Sequence, residues 1–180
     1  LDFHGNFSNY FQAKQKLFFE HLKEGGVAVI NIDDPYGIEL QQACLKRNIK
    51  IVTYGRNADF SYVPDFITNL HLISYAGQQL KISQNFIAEF ELANLTCAFA
   101  CLSALGHDLA NLIPNITNFT SATGRMQQVD FIAREAKIII DFSHTPAALQ
   151  QVLLALKQNC RGKLHLLFGC GGDRDKSKRF

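Results

Sequence analysis

The chain of 180 residues contains no tryptophan, one methionine and four prolines, and none of its apolar runs is long. They fall short of the roughly 18 residues that a membrane-spanning helix needs, so the sequence predicts no such helix. The net charge is only +2, which argues against nucleic acid or an anionic membrane as the main partner. Because the chain starts at Leu1 and its only methionine is Met126, we expect it to be part of a longer polypeptide.

The five cysteines are an odd number, and no two of them form a CxxC pair. This pattern argues against a disulfide framework and against a structural zinc site, and it is typical of proteins in the reducing cytoplasm. Cys97 and Cys101 lie one turn apart in a predicted helix, where free cysteines usually pack as small buried hydrophobic side chains. We therefore expect a cytoplasmic protein with reduced cysteines.

The apolar periodicity and the turn signals predict an α/β protein, and 47% hydrophobic residues suffice for a sizeable core. Strands at 27–32 and 49–54 with a helix at 36–47 between them form a βαβ unit, which implies parallel strands. The turn Ala76-Gly77 predicts an antiparallel hairpin. The other elements predicted in this part are helices at 8–24 and 93–105 and strands at 59–63, 70–75 and 79–83.

A polar stretch at 115–123 ends in Gly124, and we place a domain boundary there. The predicted domains are residues 1–123 and 124–180. The second is expected to contain strands or a hairpin at 126–131 and 137–142, a helix at 146–159 and a strand at 163–168.

Asp141 and His144 follow a predicted strand and directly precede a helix. Thr145 can act as the N-cap of that helix and Pro146 as its first residue. In open α/β sheets, ligands bind in the crevice outside the carboxyl ends of the strands. The positive amides of a helix N-terminus also attract anions. We therefore expect a ligand site at this strand end.

A second group of charged residues lies in the glycine-rich loop 169–176, which matches neither a Walker A sequence nor GxGxxG. Arg174 offers a bidentate fork for a carboxylate or phosphate, and Lys176 offers a point charge. Asp173 and Asp175 could orient these cations. The alternative is a solvated charged turn.

Lys14 falls on the apolar face of the first predicted helix, between Tyr10 and Phe18 on a helical wheel. Desolvation there would lower the pKa of its amine. A neutral amine is a nucleophile, and it could also react with carbon dioxide to give a carbamate that binds a metal. The alternative is a lysine that extends its amine to water.

Two further candidates carry weaker signals. Arg125 follows Gly124 at the predicted domain junction, although an isolated arginine is usually a surface residue. Asn94 near a helix start could contact a base edge, although a role in the first helical turn is equally compatible.

Taken together, three motifs resemble the Mur ligases of peptidoglycan synthesis. They are Gly124-Arg-Met, Asp141-Phe-Ser-His-Thr-Pro, and Gly169-Cys-Gly-Gly-Asp-Arg-Asp-Lys. The start of the chain, Leu1-Asp-Phe-His-Gly, followed by Asn9-Tyr and Ala13-Lys, also resembles this family. The resemblance runs in order through the whole chain. It is strongest to the members that add the third amino acid of the peptide.

The resemblance implies the second half of a central ATPase domain, with a mixed sheet and helices, at 1–123. It implies the start of a Rossmann-like C-terminal domain at 124–180. The implied reaction is ATP- and magnesium-dependent amide formation, in which a carboxylate becomes an acyl phosphate that an amine attacks. The implied substrates are UDP-MurNAc-L-Ala-D-Glu and a diamino acid, expected to be meso-diaminopimelate. We expect a monomer, and we expect this part of the chain to be inactive by itself.

The resemblance also implies a role for each matching residue. Lys14 matches a carbamylated lysine that helps to hold magnesium, and Asn94 matches an adenine contact. The positions that match the surroundings of the ribose and phosphates are Arg125, Asp141 and His144. In the last loop, Arg174 with Asp173 would bind a carboxylate of the diamino acid, and Lys176 would lie near the acyl phosphate.

The chain departs from the family pattern at Glu91, where a second asparagine is usual, and at Ala88, where glycine is common. Two other readings remain open. The first is a related amide ligase such as cyanophycin synthetase or folylpolyglutamate synthase, which share the Asp-x-x-His-x-Pro pattern. The second is a non-catalytic nucleotide-binding or redox domain, although no GxGxxG follows the strand at 27–32.

Overall fold

The computed structural model describes residues 4–83, 86–112, 114, 116, 122–130 and 136–169. These residues form two compact units. The first comprises the described residues within Leu1–Phe86 and Phe90–Thr117, and the second those within Ile87–Glu89 and Asn118–Phe180. Among them, no helix combines the length and apolar character needed to cross a bilayer.

The first unit is built on a five-stranded mixed sheet in which spatial order follows chain order. The strands are β1 (Val27–Asn31), β2 (Lys50–Gly55), β3 (Phe60–Val63), β4 (Leu70–Tyr75) and β5 (Gln78–Ser83). β1, β2 and β3 are parallel, whereas β4 is antiparallel to both β3 and β5. The helices along this part of the chain are α1 (Phe7–Phe19), α2 (Pro35–Leu45) and α3 (Glu89–Ala104).

The βαβ prediction is confirmed, because β1 pairs in parallel with β2 and α2 connects them. The Asp34 side chain caps α2 by accepting a hydrogen bond from the Tyr36 amide at 2.8 Å. The connection is tight. A Cβ atom at Gly37, in the first turn of α2, would lie 1.6 Å from the carbonyl oxygen of Asn31.

Two apolar clusters cover this sheet. In one, Ala28 and Ile30 of β1 pack with Leu40 and Cys44 of α2, and Phe11 and Phe18 of α1 lie against them. The larger cluster joins the other strands to α3, and its buried members include Phe60, Ile73, Ile82, Leu92 and Phe99.

The helix α1 ends at Phe19, five residues before the predicted end. The predicted C-terminal end of this helix is therefore wrong.

The hairpin prediction at Ala76-Gly77 is also confirmed. Tyr75 of β4 pairs with Gln78 of β5, so the loop has two residues. Both adopt positive φ, +46° for Ala76 and +78° for Gly77, as a type I′ turn requires.

The second unit contains a two-stranded antiparallel sheet and one helix. β6 (Gln127–Asp130) pairs with β7 (Lys137–Ile140), and α4 spans Pro146–Asn159. The predicted helix start is confirmed, since the Thr145 hydroxyl accepts a hydrogen bond from the Ala148 amide at 3.3 Å. Val152 is the buried residue of α4.

The prediction of a strand at 163–168 is wrong, because residues 163–169 have no regular secondary structure. A strand needs a neighbour that supplies backbone hydrogen bonds. Among the described strands of this unit, β6 and β7 pair only with each other. The apolar side chains of the segment are consequently exposed, and Leu167 is completely so.

The expectation of two buried cysteines on α3 is only partly correct. Cys97 is half-buried, but Cys101 is exposed. The buried face of α3 is formed instead by Leu92, Thr96, Phe99 and Ala100.

Candidate functional site

Asp141 follows β7 directly, and three donors hold its carboxylate. Oδ1 accepts hydrogen bonds from the Ser143 amide at 2.8 Å and from the Ser143 hydroxyl. Oδ2 accepts one from the Met126 amide at 3.0 Å, which connects the residue before β6 to the end of β7. An ionised carboxylate has about four acceptor positions, so one remains for an external hydroxyl or amide.

Met126 is held in an unusual backbone conformation for this contact. Its φ of +46° is left-handed, which is uncommon for a residue other than glycine. The side chain is buried, with 2% exposure. The buried side chain therefore anchors a strained residue whose amide is directed at Asp141. The sequence carries no signal for this role.

The environment of Asp141 favours its ionised form. Partial burial alone would raise the pKa of this carboxyl group, but the hydrogen bonds from the Ser143 side chain, the Met126 amide and the Ser143 amide oppose it. The nearby positive charge of Arg125 acts in the same direction. The net result is a pKa below the ordinary value for aspartate.

Replacing Ser143 by alanine is expected to make the protein less stable at neutral pH by about 2 kcal/mol, the typical contribution of a hydrogen bond to a charged group. Because the folded-state pKa of Asp141 is lowered, this stabilisation is present above the unfolded-state pKa and is lost as pH falls through the folded-state pKa. Urea unfolding between neutral and strongly acidic pH measures the difference. Ser143→Thr retains the hydroxyl and serves as the control. A difference between alanine variant and wild type that persists in strong acid would contradict this account.

Arg125 and His144 both contact Phe142, the residue after Asp141. The Arg125 guanidinium lies 5.6 Å from the centre of the Phe142 ring, and the His144 ring packs edge-on against it at 5.3 Å. Phe142 is exposed, as are Arg125 and His144. The structure therefore brings three of the predicted residues, Arg125, Asp141 and His144, to one exposed edge of the second unit.

The hydrogen bond of His144 defines its tautomer. Nδ1 lies 3.0 Å from the Phe142 carbonyl oxygen, which can only accept, so Nδ1 carries a proton. In the neutral ring, Nε2 is then an acceptor. His144 immediately precedes the N-cap of α4, whose first amides favour a negative charge. This edge can thus offer an imidazole, a guanidinium and a helix N-terminus to an anionic ligand.

Of the two alternatives for Lys14, the structure supports the lysine that extends its amine to water, because its side chain is exposed. Phe11 and Phe18 face the core, while Tyr10 and Leu17 remain exposed, with 40% and 61% exposure. The packed face of α1 is therefore rotated away from Lys14. Its ammonium lies 5.4 Å from the centre of the Tyr10 ring, a cation–π contact.

Asn94 lies on α3 and is exposed, and Glu91 lies one turn before it and is half-buried. Ala88, the other departure from the family pattern, is buried with 2% exposure. Lys14 lies on α1 and Asn94 on α3, which are different helices of the first unit. The three remaining candidates, Asp173, Arg174 and Lys176, lie outside the described residues.

Sequence reasoning did not single out one polar residue of the first unit, Asp33. Asp33, just after β1, accepts hydrogen bonds from the Arg56 amide at 2.8 and 3.1 Å and from the Tyr62 hydroxyl at 3.1 Å. It thereby connects the exits of β1 and β2, the edge at which ligands bind in open α/β sheets. The signal that could have revealed it is the pair of aspartates that follows a buried strand.

Two domain models of known protein families match most of the chain. The Mur ligase middle domain matches residues 1–102, and the family described as Mur ligase, glutamate ligase domain, matches residues 124–180. The chain belongs to the Mur ligase family. Its resemblance to that family is therefore confirmed, as is the mixed α/β fold that the resemblance implied.

Two curated Mur ligases show the degree of similarity. Both are named UDP-N-acetylmuramoyl-L-alanyl-D-glutamate–2,6-diaminopimelate ligase. The protein of Fusobacterium nucleatum is 35% identical over 99% of this chain and 37% of its own length. That of Synechocystis sp. is 37% identical over 99% of this chain and 36% of its own length. The chain thus spans little more than a third of the relatives that it matches.

Solved Mur ligase structures share the fold. A structure with the same ligase name superposes with a TM-score of 0.68 at 30% identity, covering 98% of this chain and 37% of that one. The D-alanyl-D-alanyl ligase of Acinetobacter baumannii superposes with a TM-score of 0.68 at 19% identity, covering 84% of this chain and 34% of that one. At that identity the second match supports the fold alone.

Proposed function

We propose that this chain is part of an ATP-dependent ligase that adds the third amino acid, meso-diaminopimelate, to UDP-MurNAc-L-Ala-D-Glu. The observation that carries the proposal is the similarity over 99% of the chain to relatives of that name. The cluster of Arg125, Asp141 and His144 supports it, because these groups suit a nucleotide. We further propose residues 1–123 and 124–180 as the two domain portions.

The second unit supplies the better-defined groups. The acceptor position left on Asp141 suits a ribose hydroxyl, and the Arg125 guanidinium suits a phosphate oxygen. His144 keeps Nε2 as an acceptor while it remains neutral. The substrate carboxylate would take the γ-phosphoryl group of ATP, releasing ADP. The amine of the diamino acid would then attack the acyl phosphate, forming the amide and releasing phosphate. Arg174 and Asp173 would bind the diamino acid, with Lys176 near the acyl phosphate.

Magnesium would be held with the help of Lys14 as its carbamate, and Asn94 would contact adenine. In the described part of the chain, no three His, Cys, Asp or Glu side chains converge on one point. Magnesium does not require such a cluster, because proteins commonly bind it through one or two carboxylates together with substrate phosphates. The exposed amine of Lys14 is accessible to carbon dioxide, so one carbamate could be this chain's contribution. We further propose a monomer in the cytoplasm.

The test uses the full-length purified protein and follows phosphate release from ATP. Release is expected only when UDP-MurNAc-L-Ala-D-Glu and meso-diaminopimelate are both present, with the tripeptide product identified by mass. Lysine in place of diaminopimelate is the control for the third residue. Phosphate release that is independent of the UDP-linked dipeptide, or product formed with folate or aspartate polymers instead, would overturn the proposal.

Replacing Glu91 by asparagine tests whether this departure from the family pattern affects adenine binding. An ionised glutamate cannot donate a hydrogen bond, whereas an amide can. ATP binding is expected to stay the same or to tighten by up to about fivefold, the equivalent of about 1 kcal/mol for one hydrogen bond. Calorimetric titration of ATP measures this, with Glu91→Gln as the comparison. A large loss of affinity in the asparagine variant would mean that Glu91 has a role of its own.

A further inference from the structure

The helix α3 carries two cysteines on one face. Cys97 and Cys101 are four residues apart, so their side chains are neighbours along the helix. Cys101 is exposed and Cys97 is half-buried, which leaves the pair accessible from solvent. Asn94 lies one turn before Cys97 on the same face.

These thiols lie close to Tyr54 of the sheet. The Cys97 thiol lies near enough to the Tyr54 hydroxyl and to the Cys101 thiol to raise the pKa of both groups. Tyr54 belongs to β2, which lies in the same unit as this part of α3. The two thiols are therefore neighbours on α3, close to β2 of the sheet.

The helix geometry disfavours a disulfide between these cysteines. Residues four apart on a helix have Cβ atoms about 5–6 Å apart. A disulfide requires about 3.5–4.5 Å, so it would unwind the helix locally. An atom that bridges both sulfurs makes no such demand. With bonds of about 2.3 Å to each sulfur, as for zinc, a bridging atom tolerates sulfurs nearly 4 Å apart.

We propose that Cys97 and Cys101 form a dithiol site for thiophilic trivalent arsenicals. The reaction with an arsenoxide replaces the arsenic–oxygen double bond by two arsenic–sulfur bonds. The oxygen leaves as water with the two thiol protons, and no oxidation or reduction occurs. An arsenical bound there would occupy the face of α3 that carries Asn94.

Cys101 is expected to react slowly as a single thiol. Although Cys101 as a residue is exposed, partial burial of its thiol raises the pKa of that group, and the adjacent Cys97 raises it further. Burial and the two cysteines also raise the pKa of the Tyr54 hydroxyl. Because the thiolate is the nucleophile, monofunctional alkylation is expected to be slow.

The experiment uses the full-length protein and phenylarsine oxide. Wild type is expected to bind one arsenical at this site, with two titratable thiols lost, and 2,3-dimercaptopropanol should restore them. Cys97→Ala and Cys101→Ala should each weaken binding about 100-fold or more, because the second bond is intramolecular only in the pair. Thermal melting curves establish that these variants fold.

Two controls make the test specific. Cys160→Ala retains the pair and should bind like wild type. The double variant Cys101→Ala with Ala104→Cys keeps two thiols on the same face of α3 but places them seven residues apart. That is about 10 Å along the helix axis, too far for one atom to bridge. The double variant should bind as weakly as the single variants. Wild-type affinity in Cys97→Ala or in this double variant, or no loss of thiols in wild type, would overturn the proposal.

Discussion

Replacing Lys14 by alanine is expected to reduce the turnover of the full-length ligase about 10³-fold, the upper range for loss of one electrostatic group at a reacting centre. The proposed reason is that the carbamate of Lys14 helps to hold magnesium against the phosphates. Steady-state phosphate release measures the loss. Lys16, two residues further along the same exposed helix, is the matched control, and Lys16→Ala should retain activity.

The position of Lys14 makes this prediction more specific. The Lys14 side chain is exposed in the described part of the chain. Carbamylation would then depend on dissolved carbon dioxide and on the bound metal. Wild-type turnover should consequently increase with bicarbonate at limiting magnesium. A wild-type enzyme that is indifferent to both, or a fully active Lys14→Ala variant, would exclude the carbamate.

Among the glycines that the structure describes, replacing Gly37 by alanine is expected to be the most destabilising, at about 3 kcal/mol, the upper part of the usual range for overpacking. The added Cβ would lie 1.6 Å from the Asn31 carbonyl oxygen, which is backbone and cannot rotate away. Either α2 or the end of β1 must move. Denaturant unfolding of wild type and variant measures the difference.

Gly106→Ala is the comparison for the Gly37 variant. Gly106 has a φ of +83° but no atom within 4 Å of an added Cβ, so only the backbone cost of about 1–2 kcal/mol applies. If the two variants were equally destabilised, the close contact at Gly37 would contribute nothing.

Several elements could be predicted because their signals are local. The hairpin at Ala76-Gly77 and the start of α4 at Thr145-Pro146 follow from two to four consecutive residues. The same applies to the candidate site at the end of β7. Asp141 and His144 are three residues apart, so any strand-to-helix connection keeps them close.

Other features depended on residues far away in the chain, and the sequence misjudged or missed them. The apolar periodicity of α1 indicated a face but not its centre, because Lys14 is surrounded by apolar residues of which only some meet the sheet. Likewise, residues 163–168 have the composition of a strand, yet the described strands offer them no partner. The contact between Met126 and Asp141 spans fifteen residues and depends on a left-handed backbone.

The sequence by itself determined the type and order of most elements, the family and the set of candidate residues, since helix periodicity, caps and turns are encoded within a few residues. Only the tertiary structure decided which side chains are buried. Lys14 and Cys101 are exposed, whereas Cys44 and Met126 are buried. Burial and pairing depend on which distant surfaces meet, and this is information that no short stretch of sequence contains.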